Sequence, residues 1–206
     1  PGVLLMEWVE PRNKGRGFGE RFGEGLAQLH RHTSGDGRYG FDRANFIGRL
    51  PQANDWHGSW PAFFRSRRLE PQVRMARERR RWRSGWTALA DRLFDRLDAL
   101  LPEAPPASVL HGARGGATAR AAAGGRAALV DPAAYYGHRE TDLSMTELFG
   151  GFDRDFYAGY RSAWPLEPGY DERREVYNLY HLLNHLNHFG ASYAGGVERV
   201  LRRFGG

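Results

Sequence analysis

The sequence contains no cysteine, so it offers no disulfide framework, no thiolate zinc site and no cysteine nucleophile. It also has no apolar run that approaches the roughly 20 residues of a membrane-spanning helix. The N-terminus lacks the basic segment of a secretory signal peptide. Together these absences predict a soluble, intracellular protein, and we expect it to be cytoplasmic.

Lysine is almost absent as well. Of the 30 basic residues only Lys14 is a lysine, although the formal net charge is +6. A broad phosphate-binding surface usually mixes both cations, so an excess of arginine alone points partly to GC-rich coding. With 206 residues, of which 41% are hydrophobic and 13% aromatic, the chain can bury a core as one large domain or two small ones.

Apolar residues at helical spacing predict several helices. One helix runs from Phe18 to about His32, a helical region begins at Trp60, and an amphipathic helix extends from Trp86 to Leu100. Further helices are expected at 141–149, 153–163, 170–188 and 191–204.

Strands are fewer and shorter. Residues 3–9 form an apolar run typical of a buried strand, and residues 109–111 and 127–131 predict a small two-strand element. The segment 34–61 is rich in Gly, Asp, Asn and Pro, which predicts a long ordered loop. The sequence therefore predicts a mainly α fold with a few short strands.

The segment Gly15–Gly19 matches the glycine-rich loop of kinases. That loop needs a strand on either side and a lysine on the second strand. Here a helix follows, and no lysine occurs after Lys14. A flexible turn before a helix is the better interpretation.

Three histidines, His181, His185 and His188, share one face of a predicted helix. Neutral imidazoles at this spacing can bind zinc. The same helix is apolar on most of its surface, which favours histidines that pack in the core and make hydrogen bonds.

The densest charge run, Arg77–Arg83, includes Trp82. Guanidinium groups beside an aromatic ring could bind nucleic acid through phosphate contacts and stacking. No nucleic-acid motif accompanies the run, so we favour a solvated helix face.

A more specific pattern joins His111-Gly112 to Asp131-Pro132. A strand that ends in His-Gly, then a loop, then a strand that ends in Asp is the arrangement of a phosphotransferase catalytic loop followed by a metal-binding carboxylate. An Asp at the end of such a strand can hold Mg²⁺ between nucleotide phosphates.

Residues 131–152, DPAAYYGHRETDLSMTELFGGF, closely resemble the signature of the fructosamine kinase (ketosamine-3-kinase) family. The segments 5–8, 26–30, 45–52 and 177–185 fit the same family. The resemblance implies the C-terminal, large lobe of a protein-kinase-like α+β fold, related to aminoglycoside and choline kinases. It also implies ATP and Mg²⁺ as cofactors, and phosphorylation of the 3-hydroxyl of ketosamines, either small molecules or protein-linked.

Carried over residue by residue, the resemblance implies that Asp131 ligates Mg²⁺ and that His111 anchors the catalytic loop. Asp142 would brace that loop by accepting hydrogen bonds from its backbone. The hinge strand would hold adenine at Met6, Glu7 and Trp8.

The sequence departs from the family in its catalytic loop, where residues 111–118 read HGARGGAT in place of HGDLWSGN. Ala113 replaces the Asp that accepts the substrate proton, and Thr118 replaces the Asn that is the second metal ligand. The replacement segment is built largely from Ala, Gly and Arg, so we hypothesise compensating frameshifts or a degenerate gene copy.

The domain organisation expected from the resemblance is a hinge strand at 1–10 and a helical C-lobe at 11–206, without the small N-terminal lobe. Lys14 lies beyond the hinge and cannot stand in for that lobe's nucleotide-binding lysine. We therefore expect a ketosamine kinase homologue that is inactive in this form. An uncovered apolar face around Leu4, Leu5 and Met6 would favour self-association.

Two other functions stay open at this point. One is a non-catalytic, pseudokinase-like module that still binds a sugar amine or a partner. The other, less favoured, is an arginine-rich nucleic-acid binder.

Overall fold

The computed structural model describes Trp8, Glu10 and residues 13–112, 119–122 and 127–206. Within these residues most of the regular structure is helical, as the periodicity predicts. No helix in this part of the chain has the length and apolar character needed to cross a lipid bilayer. The predicted opening strand at 3–9 falls outside the described residues apart from Trp8.

The α-helices lie close to their predicted positions. They are α1 (Phe18–His30), α2 (Trp60–Phe63), α3 (Glu70–Glu78), α4 (Trp86–Asp95), α5 (Leu97–Leu100), α6 (Glu140–Leu148), α7 (Arg154–Ala163), α8 (Tyr170–Phe189) and α9 (Ala194–Gly205). A π-helical segment, Phe64–Leu69, joins α2 to α3, and a 3₁₀ turn, Ala191–Tyr193, precedes α9.

Local signals account for several helix ends. The Asp153 side chain accepts a hydrogen bond from the N–H of Phe156 at 2.9 Å and so caps the start of α7. Pro61 occupies the first turn of α2, where its missing N–H costs nothing. The helix predicted from Trp86 to Leu100 is instead divided at Arg96, whose Nη1 donates to the backbone oxygen of Phe204 at 2.9 Å.

The strands among the described residues form antiparallel pairs. They are β1 (Asn45–Ile47) with β2 (Leu50–Gln52), β3 (Ser108–Leu110) with β6 (Tyr135–Gly137), and β4 (Ala119–Ala121) with β5 (Ala127–Leu129). The two strands expected at 109–111 and 127–131 do form, but they do not pair with each other as a two-strand element. The segment predicted as a loop at 34–61 contains the β1–β2 hairpin.

The core has two parts. The larger surrounds α8, which packs against α3, α6 and α9 and buries Tyr177 and Leu183. The smaller lies between α1 and α7, around Phe22, Leu26 and Phe156. The mainly α fold with a few short strands is thus confirmed.

The α1–α7 contact is unusually close because glycines face the opposite helix. A Cβ atom built on Gly23 would lie 2.0 Å from the backbone oxygen of Phe156. A Cβ atom on Gly159 would lie 2.2 Å from the backbone oxygen of Glu20. The two helix backbones therefore touch directly, and no side chain fits between them.

We expect Gly23→Ala to lower the free energy of unfolding by about 1–3 kcal/mol, because the added methyl group would force α1 away from α7. Gly25→Ala on the same helix is the matched control, since nothing lies within 4 Å of its Cβ position. The control is expected to gain up to about 1 kcal/mol from helix propensity. Urea denaturation of both variants measures the difference, and equal midpoints would contradict the close contact.

Candidate functional site

One buried carboxylate holds the start of the loop that follows β3. Asp142, in the first turn of α6, accepts a hydrogen bond from the N–H of His111 at 2.8 Å through Oδ2. It accepts another from the N–H of Gly112 at 2.9 Å through Oδ1. Because both donors meet a charged acceptor, these bonds fix the loop start firmly against α6.

A second group of side chains supports this carboxylate. His30, in the last turn of α1, has Nε2 3.2 Å from Asp142 Oδ2 and Nδ1 2.8 Å from the Tyr160 hydroxyl of α7. If the Tyr160 O–H donates to Nδ1 and Nε2–H donates to Asp142, all three groups are paired. Burial raises the pKa of Tyr160 to about 12, so the phenol keeps its proton near neutral pH.

Sequence reasoning assigned no role to His30 or Tyr160. His30 lies in the segment 26–30, which fits the family. It is nevertheless 112 residues from Asp142, so no local spacing connects the two. The usable signal was a histidine on the apolar face of α1, where a buried imidazole needs a hydrogen-bond partner.

Asp131 lies next to the same loop. The Val130 backbone oxygen is 3.0 Å from His111 Nε2, and the Ala133 N–H donates to the His111 backbone oxygen at 2.8 Å. Asp131 sits between these two contacts, is exposed, and has a left-handed φ of 54°. The structure thus brings His111 and the Asp131 segment together, as the pattern of strand ends predicts, and places Asp142 against the same loop.

The close approach of these two segments depends on Gly112. Its φ is 78°, and a Cβ atom there would lie 2.1 Å from the Ala133 backbone oxygen. Only glycine fits this position without moving the segment that carries Asp131.

The possible metal ligands near Asp131 can be compared with those that Mg²⁺ takes in proteins. No group of three or more His, Cys, Asp or Glu side chains able to hold a metal occurs in the described part of the chain. Mg²⁺ in phosphotransferases commonly takes one or two protein carboxylates and completes its shell with nucleotide phosphates and water. A single exposed Asp131 carboxylate fits that arrangement and would not form a closed all-protein cage.

Other predicted site residues fall outside the described residues, namely Met6, Glu7, Ala113 and Thr118. The apolar face around Leu4 and Leu5 falls there too. Trp8 is described: its side chain is exposed, and its Nε1–H donates to Glu10 at 2.7 Å.

The β1–β2 hairpin joins the Asp131 segment to a cavity. Gln52 Nε2 donates to the backbone oxygen of Ala133 at 3.1 Å, and Asn45 Nδ2 donates to that of Ala134 at 2.8 Å. Tyr180 of α8 donates to Gln52 Oε1 at 2.6 Å. One side of the hairpin is therefore bound to the residues just after Asp131.

A buried arginine holds the chain that leaves this hairpin. Arg68, in the π-helical segment, donates to the Ala53 backbone oxygen at 2.7 Å and to Asn54 Oδ1 at 2.8 Å. Its guanidinium lies 3.9 Å from the ring centre of Tyr135 in β6. The hairpin is thereby fixed to α2–α3 as well as to β6.

The hairpin turn forms one wall of a cavity of about 620 Å³. Residues 47–49 line it together with Met145 of α6 and four residues of α8, Asn184, His185, His188 and Phe189. Asn184 is only 4% exposed, and its Nδ2 has no hydrogen-bond partner in the described part of the chain. A buried amide donor without a protein partner is costly unless water or a ligand supplies an acceptor.

The three histidines of α8 make separate contacts. His181 is buried, and burial, followed by the charge of His185, lowers its pKa to about 4, with Asp142 acting in the opposite direction. His185 packs against Phe149, with 4.3 Å between ring centres, and its Nδ1 is 2.8 Å from the His181 backbone oxygen. His188 Nε2 is 3.2 Å from the Ile47 backbone oxygen. His185 and His188 thus each place a ring nitrogen within hydrogen-bond distance of a backbone oxygen, as the packed interpretation expects for these two residues.

The Arg77–Arg83 run is not simply solvated. Arg81 Nη1 donates to the backbone oxygens of Leu186 and Asn187 at 2.7 and 2.6 Å, and Arg79 also donates to Asn187. Arg83 pairs with Glu198 of α9 at 2.6 Å. Arg77, Arg79, Arg80 and Arg83 are exposed, as expected for a solvated face, but most of the run lies beyond the end of α3. Arg79 and Arg81 in addition bind carbonyls at the end of α8.

Comparison with known proteins gives a consistent result. A sequence model of the family described as fructosamine kinase matches residues 2–204. A protein of Synechocystis named probable ketoamine kinase is 39% identical over 201 residues, which is 97% of this chain and 66% of that protein. The ketosamine-3-kinase of Mus musculus is 38% identical over 80% of this chain and 53% of its own length.

A crystal structure from Thermobifida fusca, assigned as a fructosamine-3-kinase, superposes with a TM-score of 0.87 at 33% identity. The match covers 96% of this chain and 68% of that one. The chain therefore spans about half to two thirds of the length of these relatives.

We expect Asp142→Asn to lower the free energy of unfolding by about 3 kcal/mol, because an amide accepts at one oxygen only and leaves one buried N–H facing an NH₂ group. Urea denaturation measures the loss, and faster hydrogen exchange at His111 and Gly112 would locate it in the loop. Asp91→Asn, at an exposed position on α4, is the control. Equal midpoints for the two variants would show that the carboxylate does not hold the loop.

Proposed function

The chain belongs to the fructosamine kinase family, and on that premise we propose that it forms the large lobe of an ATP-dependent ketosamine kinase. The observation that supports this most is the carboxylate of Asp142, which binds the N–H groups of His111 and Gly112 directly beside the Asp131 segment. A phosphotransferase needs this kind of rigid platform, because its catalysis depends on positioning and charge neutralisation.

In this proposal Asp131 is the protein ligand of Mg²⁺, and Met6, Glu7 and Trp8 contact adenine through the hinge. When bound with ATP, Mg²⁺ neutralises charge on the transferred phosphoryl group. The part played by this chain is to hold the metal ligand and the loop at a fixed separation. His111 contributes by linking the loop to the Val130 carbonyl.

Ala113 stands where the family has its proton acceptor. A methyl group cannot orient a hydroxyl or take its proton, and loss of a general base typically costs about 10²–10⁴ in rate. Thr118 in place of the second metal ligand weakens metal binding further. We therefore propose that this 206-residue chain transfers phosphate at a negligible rate.

The cavity between the hairpin turn and α8 is the proposed site for the sugar amine. Its inner lining includes Asn184, whose unpartnered amide could donate to a sugar hydroxyl. The hairpin connects this cavity to the residues after Asp131 through Gln52 and Asn45. A ligand in the cavity would thus be held by the same elements that position the metal ligand.

A second candidate function is a non-catalytic module that binds sugar amines. Three features favour it. Ala113 stands in place of the proton acceptor, Asp142 still binds the backbone of the loop, and the cavity contains an unpartnered amide. Ketosamine binding without phosphorylation would be its signature.

The first test is phosphoryl transfer. We expect the pure chain, incubated with MgATP and fructosylglycinamide (glycinamide carrying a 1-deoxyfructosyl group on its amine), to form no new phosphorylated product detectable by ³¹P NMR. A full-length relative such as the mouse ketosamine-3-kinase serves as the positive control. Product formed by the unmodified chain would show that Ala113 does not abolish activity.

The second test is binding. Isothermal titration calorimetry is expected to detect fructosylglycinamide binding, and Asn184→Ala should weaken it about fivefold through the loss of one hydrogen bond. Asn13→Ala, at an exposed position outside the cavity, should leave the affinity unchanged. If the chain binds no ketosamine, or if both variants bind like the original, the proposed sugar-amine site is wrong.

A further inference from the structure

We infer that the outer part of this cavity is a second subsite, which receives the group attached to the ketosamine nitrogen and prefers a carboxylate there over a cation. This inference rests on the proposed function, because it takes the inner part of the cavity as the sugar site.

The lining residues on α6 and α8 show which end of the cavity lies nearer the catalytic loop. On α6, Asp142 comes three residues before Met145, which lines the cavity, so the end of the cavity at Met145 is the one nearer the loop after β3. On α8, Asn184, His185, His188 and Phe189 line the cavity in that order toward the helix end. A sugar whose hydroxyl faces the catalytic loop would therefore point its nitrogen toward His188 and Phe189.

The two ends of the cavity differ in burial. Met145 and Asn184 are buried, whereas Phe189 is 66% exposed and the neighbouring Phe149 is 42% exposed. His185 lies between these rings, with ring centres 4.3 Å from Phe149, 5.5 Å from Phe189 and 5.0 Å from Tyr193. The outer end thus offers flat ring surfaces, which pack well against the carbon atoms of a substituent.

The charges at the outer end have one sign. Arg49, at the tip of the hairpin turn, lines the cavity, and no carboxylate lines it within the described residues. Burial lowers the pKa of His185, so this imidazole is mainly neutral near pH 7.

The helix end does not offset this charge. The C-terminus of a helix carries partial negative charge, which would otherwise attract a cation. Here Arg79 and Arg81 bind the backbone oxygens of Leu186 and Asn187 and cancel it.

This arrangement distinguishes two kinds of ketosamine. An adduct on the α-amine of a free amino acid carries its carboxylate close to the nitrogen, within reach of a cation at the cavity mouth. An adduct whose nitrogen bears a cationic group would place like charges together. The outer subsite therefore selects adducts of small, carboxylate-bearing amines.

Titration calorimetry with three matched ligands tests this inference on the 206-residue chain. The three ligands share the ketosamine nitrogen and differ in the group attached to it. That group is a carboxylate in fructosylglycine, a neutral amide in fructosylglycinamide and an additional cation in fructosylethylenediamine. We expect affinity to fall in that order, by about three- to fivefold at each step at low salt, as one exposed charge pair allows. Raising the salt concentration should narrow the differences.

Two variants test whether Arg49 causes the preference for a carboxylate. Arg49→Gln should make the three affinities nearly equal, because it weakens fructosylglycine binding and removes the repulsion of fructosylethylenediamine. Arg43→Gln removes an exposed charge two residues before β1 that does not line the cavity, so it should preserve the order.

The outcomes separate the two proposals. Equal affinities for all three ligands, or a preference that persists in Arg49→Gln, would overturn the carboxylate subsite while the ketosamine site stands. Absence of binding by every ligand would overturn the proposed function and this inference together.

Discussion

The arrangement of the site depends on one buried carboxylate. Asp142 accepts two backbone N–H groups from the loop after β3 and contacts His30, which in turn contacts Tyr160. Through these bonds a single side chain joins α6, α1, α7 and the loop. Because these buried donors share one charged acceptor, the free energy of this cluster is larger than that of any one bond.

The hairpin extends the same rigidity to the cavity. Gln52 and Asn45 bind the carbonyls just after Asp131, and Arg68 holds the chain beyond β2. The turn of the hairpin then meets His188 of α8. A movement of the Asp131 segment would therefore be transmitted to the cavity wall, since both are attached to one short pair of strands.

The sequence predicted the helices well because their apolar faces recur at a regular spacing, as for Phe18 to Leu29 and for 170–188. It did not predict the pairing of β3 with Tyr135–Gly137, or the hairpin at 45–52, because three-residue strands are too short to show alternation.

The approach of His111 to Asp131 followed from the pattern of strand ends. The position of Asp142 came only from the family resemblance, and the contact with His30 joins distant segments and was missed. Arg79 and Arg81 were read as surface charges because no local pattern reveals a carbonyl on another helix.

Several arginines of this chain bind backbone oxygens. Arg68 and Arg139 each donate to separate acceptors through two different nitrogens, a geometry that a lysine cannot reproduce. A fold joined in this way needs few primary amines, and the chain has one, at Lys14. Reducing sugars form ketosamines on primary amines and not on guanidinium groups. A lobe proposed to bind ketosamines thus carries a single side-chain amine on which a ketosamine could form.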